Sequence, residues 1–153
     1  MLRDRDETCI VIVDPYSAGA MLAEALRAHG VKCIAVESSQ AIPKAMRSRF
    51  NSAVFWDIIR HEGDYGQTLD AVRSHQPAYI VPGGESGVEL AEKLADDLGL
   101  PTNGAGLRNA RRDKYLMAEA VKARGLRTAA QFLSSDIEAV SYTHLTLPTT
   151  PYV

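Results

Sequence analysis

Short apolar runs alternate with helix-like stripes along the first hundred residues. Thr8 to Val13 (TCIVIV) is rich in β-branched residues, with charge before it and Asp14-Pro15 after it. That is the pattern of a strand buried on both faces, as in a parallel sheet. Ser17 can cap a following helix, on which Met21, Leu22, Ala25, Leu26 and His29 share one face, and Gly30 suits its end. Lys32 to Val36 (KCIAV) reads as a second strand, and a weaker helix follows around 42–49 with Pro43 in its first turn. Ala53 to Trp56 (AVFW) reads as a third strand. Asp64 with Gln67 three residues on forms a capping-box arrangement, opening a helix with Leu69 and Val72 on its apolar stripe. Ala78 to Val81 (AYIV) is a fourth strand. The loop Pro82-Gly83-Gly84-Glu85-Ser86-Gly87 leads into a strong helix whose buried face is Val88, Ala91, Leu94, Ala95 and Leu98. Gly99 ends that helix and Pro101 prevents its continuation.

Strands alternating with helices over short connections predict an α/β fold, a Rossmann-like parallel sheet with helices on both faces. Ligands on such sheets bind beyond the carboxyl ends of the strands. The loops expected there are 14–19, 37–39, 57–63 and 82–87. After Asn103-Gly104 comes a basic segment, 108–114, then a helix from Asp113 to Arg124 with Leu116, Met117, Ala120 and Val121 on one side. Ala129 to Leu133 can start another strand.

Composition narrows the class. The chain has 153 residues, 46% apolar and 24% charged, with a formal net charge of -2. That balance gives no general drive toward nucleic acid or an anionic membrane. No stretch has the length of a bilayer-spanning helix, and the charged N-terminus is not a secretory signal. The chain reads as cytoplasmic. Cys9 and Cys33 lie in apolar runs and fit no disulfide framework or metal spacing, so they read as core residues. The average hides one discontinuity. All 36 charged residues lie at or before Glu138, whereas the fifteen residues from Ala139 onward carry four threonines, two prolines and no charge.

The 82–87 loop is the most informative local feature. Three of the eleven glycines fall within five residues, between a buried strand and a helix. Glycines let backbone N–H groups approach an anion, and the helix start adds partial positive charge. Ser86 can cap the helix, and Glu85 can hold a cation or an amino group. The same glycines also suit a tight strand-to-helix turn, and on the loop alone both readings stand. The spacing is neither a Walker loop nor the dinucleotide fingerprint. Asp14 and Asp57 each follow an expected strand. This admits a receiver-like module phosphorylated on Asp57, although Pro15 and Tyr16 stand where a second acidic residue would be needed and no lysine follows a fifth strand. A loop aspartate making local hydrogen bonds is the favoured reading of Asp57. The basic run reads as a solvated helix start, with one or two of its side chains able to meet a nucleotide phosphate. His29, His61 and His75 read as surface residues, and Phe55 and Trp56 as core.

Two segments together carry a resemblance. Tyr79-Ile80-Val81-Pro82-Gly83-Gly84-Glu85-Ser86-Gly87-Val88-Glu89-Leu90-Ala91 resembles the fourth strand and following helix of the pre-ATP-grasp domain. Arg111-Arg112-Asp113-Lys114-Tyr115-Leu116-Met117, ending in Ala123-Arg124-Gly125-Leu126, resembles the entry to the ATP-grasp domain itself. The Glu-Ser-Gly-Val-Glu-Leu-Ala stretch looks most like the biotin carboxylase-related branch that contains L-amino acid ligases, and the likeness covers roughly residues 8 to 138.

The resemblance implies an ATP-dependent carboxylate–amine ligase with ATP and Mg²⁺ as cofactors and an acyl-phosphate intermediate. It implies a small carboxylic or amino acid substrate and no nucleic acid or membrane partner, with a homodimer left open. By the same resemblance Lys114 matches the first nucleotide-contacting lysine, and Gly83, Gly84, Glu85 and Ser86 match the loop facing the substrate. The expected domains are 1–104 (pre-ATP-grasp), 105–138 (the first helix of an incomplete ATP-grasp domain) and a non-native, disordered tail, 139–153. The family's second nucleotide lysine, adenine hinge, metal-binding carboxylates and late arginine fall after the position matching residue 140. The fragment alone is therefore expected to be inactive. The tail VSYTHLTLPTTPYV resembles translated adapter sequence at the end of a shortened gene, the alternative being a Thr/Pro-rich linker.

Overall fold

A computed structural model describes residues 8–16, 18–38 and 50–136. The expected Ser17 cap, the helix around 42–49 and the 139–153 tail lie outside the described residues. Four strands form one parallel sheet, β1 (Cys9–Val13), β2 (Lys32–Glu37), β3 (Asp57–Arg60) and β4 (Tyr79–Pro82), in the order β3-β2-β1-β4. Helix α1 (Ala18–Ala28) follows β1, α2 (Tyr65–Ser74) follows β3, α3 (Val88–Asp97) follows β4, and α4 (Lys114–Lys122) comes last.

The alternating side chains of the two central strands serve two cores, which is why β1 and β2 read as unbroken apolar runs. Cys9, Val11, Val13, Ile34 and Val36 face α2 and α3, where Val72, Ala91, Leu94 and Ala95 close the larger core. Ile12 and Cys33 face α1, where Ala23 is fully buried and Leu26 packs alongside. Both cysteines are buried, and burial pushes each thiol upward in pKa.

Several expectations need correction. The third strand is not Ala53 to Trp56. The Asn51 side chain accepts from the Ala53 N–H and closes a short 3-10 turn at Ser52–Val54, so pairing with β2 begins at Asp57. Trp56 is consequently 73% exposed at the amino end of the sheet, with the Lys32 ammonium 4.3 Å from its ring centroid. Phe55 does pack against the α1-side core. The expected face of α1 is also wrong. Met21, Leu22, Ala25 and His29 are exposed, and of that face only Leu26 packs on the core; the helix buries Gly19 and Ala23, whose small size lets it lie close to the sheet. His61 and His75 are half-buried rather than surface residues; His61 Nδ1 lies 2.8 Å from Thr68 Oγ1. Residues 126–134 carry no regular structure, so no strand runs from Ala129 to Leu133.

Asp64 caps α2 by accepting from the Gln67 N–H, and Asp113 caps α4 by accepting from the Leu116 N–H. The chain divides into two compact units between Arg108 and Asn109. The first holds the whole sheet and both cores. In the second, α4 buries no residue, and Leu116 and Met117 are exposed.

Candidate functional site

The carboxyl edge of the sheet is built differently at its two halves. At β1 and β4 the backbones interlock. The Gly83 N–H donates to Val13 O (2.6 Å) and the Gly19 N–H donates to Gly83 O (2.9 Å). A Cβ on Gly83 would lie 2.7 Å from Pro15 Cα, one on Gly19 2.4 Å from Gly83 Cα, and one on Gly87 2.4 Å from Val13 O. Gly83 and Gly87 are therefore needed for close approach, as the turn reading of this loop anticipates. Gly84 is extended and half-buried, and Glu85 and Ser86 are exposed. Ser86 does not cap α3. A 3-10 turn at Glu85–Gly87 precedes the helix, and Gly87 stands at the cap position without a side-chain bond. Gly87, having no side chain, leaves the helix start that faces this edge without an N-cap side-chain bond.

At β2 and β3, side chains hold the edge. Glu37 ends β2 and pairs in register with Arg60, the last residue of β3. The Tyr16 hydroxyl donates to Glu37 Oε1 (2.7 Å), and Arg60 Nε donates to Glu37 Oε2 (3.0 Å). Glu37 is 7% exposed, while the Arg60 side chain is 64% exposed. A carboxylate at the end of the second strand is where dinucleotide folds hold a ribose hydroxyl. Here both its oxygens are already occupied by protein donors. Beside it, Asp14 sits in the left-handed region (φ 55°) and is buried, accepting from the Ser38 N–H (2.8 Å) and the Ser38 hydroxyl (2.6 Å). Aspartate tolerates that backbone better than most residues, and its two hydrogen bonds offset the strain.

The structure removes Asp57 from this edge. It opens β3 at the amino end, where its carboxylate meets His75 Nε2 at 2.9 Å. The receiver-like reading required it at the carboxyl end, next to Asp14, and is overturned. Lys114 opens α4 in the second unit, with its side chain exposed. Among the described residues no group of three or more His, Cys, Asp or Glu converges on a common point. The described residues do not supply a magnesium site.

The Glu37–Tyr16–Arg60 network escaped sequence reasoning because it depends on where β3 begins. Moving that strand from 53–56 to 57–60 is what places Arg60 beside Glu37. The available signal was a charged residue closing each of two apolar segments, KCIAVE and DIIR.

No family model matches the sequence. Dapdiamide A synthase of Enterobacter agglomerans is 33% identical over 128 residues, covering 82% of this chain and 30% of that protein. The L-amino acid ligase of Bacillus licheniformis superposes with a TM-score of 0.64 at 16% identity, covering 84% of this chain and 31% of that one. N5-Carboxyaminoimidazole synthetase of Staphylococcus aureus, solved with ADP, superposes with a TM-score of 0.62 at 17% identity, covering 88% and 35%. The chain spans about a third of the length of these relatives.

Proposed function

We propose that this chain is the N-terminal part of an ATP-grasp ligase. In that reading the parent protein joins a carboxylic acid, most simply an amino acid, to an amine at the expense of ATP. The carboxylate oxygen attacks the γ-phosphorus and ADP leaves, giving an acyl phosphate. The amine nitrogen then attacks the acyl carbon, phosphate leaves, and the amine gives up a proton. The observation that carries the reading is the 33% identity to Dapdiamide A synthase across 128 residues, on a fold that matches an L-amino acid ligase.

Within this proposal residues 1–104 are the pre-ATP-grasp domain, 105–138 begin the ATP-grasp domain, and 139–153 are foreign to both. Gly83, Gly84, Glu85 and Ser86 face the substrate. The glycine-locked backbone supports this by fixing the loop's path at the ligand edge of the sheet. Lys114 would meet the nucleotide phosphates, and Mg²⁺ would neutralise the transferring phosphoryl group from ligands outside the described residues. The protein is proposed to act in the cytoplasm; no described helix is long and apolar enough to cross a membrane. The 153 residues by themselves are proposed to be inactive. The test is recovery of the full gene, purification of its product and measurement of amino-acid-dependent ADP release. Release with at least one acid–amine pair is expected; none with any pair would overturn the ligase reading.

A further inference from the structure

We propose that Arg60 is the receptor for a free carboxylate on the amine-donating substrate, an amino acid rather than a simple amine. The assignment of ligand class rests on the ligase reading above; the assignment of the binding group rests on the geometry.

Arginine presents five N–H donors in a rigid planar fork suited to carboxylates. In Arg60 only Nε is engaged among the described residues, by Glu37 Oε2 at 3.0 Å. Among the described residues the two terminal nitrogens have no partner, on a side chain that is 64% exposed. The anchor is buried. Glu37 is 7% exposed, and its other oxygen takes the Tyr16 hydroxyl at 2.7 Å. An ordinary surface pair leaves both partners in water and contributes little. Burying the carboxylate at the end of a strand carries a desolvation cost, and what it achieves is an exposed guanidinium held by its inner nitrogen at the end of β3.

The proposed chemistry supplies the matching anion. The acyl donor's reacting carboxylate is consumed as acyl phosphate. An amino acid serving as amine donor keeps its own carboxylate, and a positive group must pair with that charge to distinguish it from a simple amine. The strand order places Arg60 on one edge strand and the 82–87 loop on the other. Three inter-strand spacings separate them, roughly 14 Å. Two joined amino-acid units extend about 7 Å, and the arginine side chain reaches across part of the remainder.

The test uses the 153-residue chain and nuclear magnetic resonance of the Arg60 Nε–H group. L-Alanine is the probe, L-alaninamide is the same molecule without the carboxylate, and inorganic phosphate is the competing anion. A saturable shift of the Arg60 Nε–H and Glu37 backbone amide resonances with L-alanine, none with L-alaninamide, and loss of the Glu37 amide response to L-alanine in Arg60→Lys are expected. Lysine keeps the charge beside Glu37 but not the fork. No response to L-alanine, an equal response to L-alaninamide, or an equal response to phosphate would each overturn the assignment. The wild-type comparison needs no variant, so it stands even where Arg60→Lys fails to fold. In the full-length enzyme Arg60→Lys is expected to raise KM for the amine-donating amino acid about tenfold or more, with KM for ATP unchanged. Absence of ADP release from the unsubstituted full-length enzyme would sink the ligase reading and leave the difference between L-alanine and L-alaninamide as measured.

Discussion

The two halves of the carboxyl edge reach fixed geometry by opposite means. Where β1 meets β4, backbone touches backbone, and the governing fact is that no atom can be added at Gly19, Gly83 or Gly87. Where β2 meets β3, side chains of Asp14, Tyr16, Ser38, Glu37 and Arg60 carry the structure, and the governing fact is that no polar group can be withdrawn. The first half is stiff because it is full; the second is stiff because it is bonded. A sheet edge with one steric half and one electrostatic half can hold a loop in place on one side and present charge on the other.

Adding a carbon to the steric half is expected to have the largest effect. In Gly87→Ala the new Cβ meets backbone, Val13 O at 2.4 Å, which cannot swing away as a flexible side chain would. A loss of about 3 kcal/mol is expected, the upper end for over-packing. Gly19→Ala and Gly83→Ala should fall in the same range. Gly106 has nothing within 4 Å of its Cβ position, so Gly106→Ala should stay within about 0.5 kcal/mol of wild type. Urea midpoints at unchanged m-value measure all four. Equal midpoints for Gly87→Ala and Gly106→Ala would break the comparison.

Withdrawing a charge from the other half should cost less. Glu37→Ala leaves the Tyr16 hydroxyl and Arg60 Nε without their acceptor, and a loss of about 1–3 kcal/mol is expected. Arg60 is mostly in water and can find solvent, which keeps the figure in the lower part of that range. Tyr16→Phe and Arg60→Ala act through the same carboxylate, so a double-mutant cycle should give a coupling of about 0.5 kcal/mol or more. Strict additivity would mean that Glu37 does not join them. Asp14→Asn should be milder still, about 1 kcal/mol, because asparagine keeps one acceptor for Ser38 and accepts the positive φ.

The steric half was legible in the sequence and the electrostatic half was not, for a physical reason. Three glycines between an apolar strand and a helical stripe admit a tight backbone crossing beside an anion-binding loop, and Gly83 and Gly87 make that crossing while Gly84 is simply extended. The order of strands and helices follows from apolar periodicity and from caps such as Asp64 and Asp113, which act within one turn of the chain. The Glu37–Arg60 pair joins residues 23 apart and exists only in one register. The AVFW run has the stronger strand composition, and the Asn51 turn overrides it; DIIR, with charges at both ends, is the segment that pairs. The α1 face failed for a related reason. Large apolar residues normally mark the buried side of a helix, but Gly19 and Ala23 let α1 approach the sheet so closely that Met21 and Leu22 turn outward.

A polar contact joins the helices above the two halves. Tyr65, from α2 on the β3 side, donates its hydroxyl to Asp97 of α3 on the β4 side, and the Lys93 ammonium lies 3.6 Å from its ring centroid. Burial first, then the hydrogen bond to Asp97 and the charge of that carboxylate, push the Tyr65 hydroxyl well above its ordinary pKa. The neutral phenol is thus favoured in the folded chain. Its contribution to stability is complete below the unfolded value, about 10, and is lost as pH rises from there through the folded value. Cys9 and Cys33, whose pKa values are also raised, add a decline of the same sign beginning near their ordinary 9.0. Comparing wild type with Tyr65→Phe isolates the phenol, since both chains keep the cysteines. Denaturation followed from neutral to alkaline pH should show Tyr65→Phe losing less stability above pH about 10 than wild type. Parallel curves would mean that the Tyr65–Asp97 contact does not couple the two halves, and that each stands on its own set of contacts.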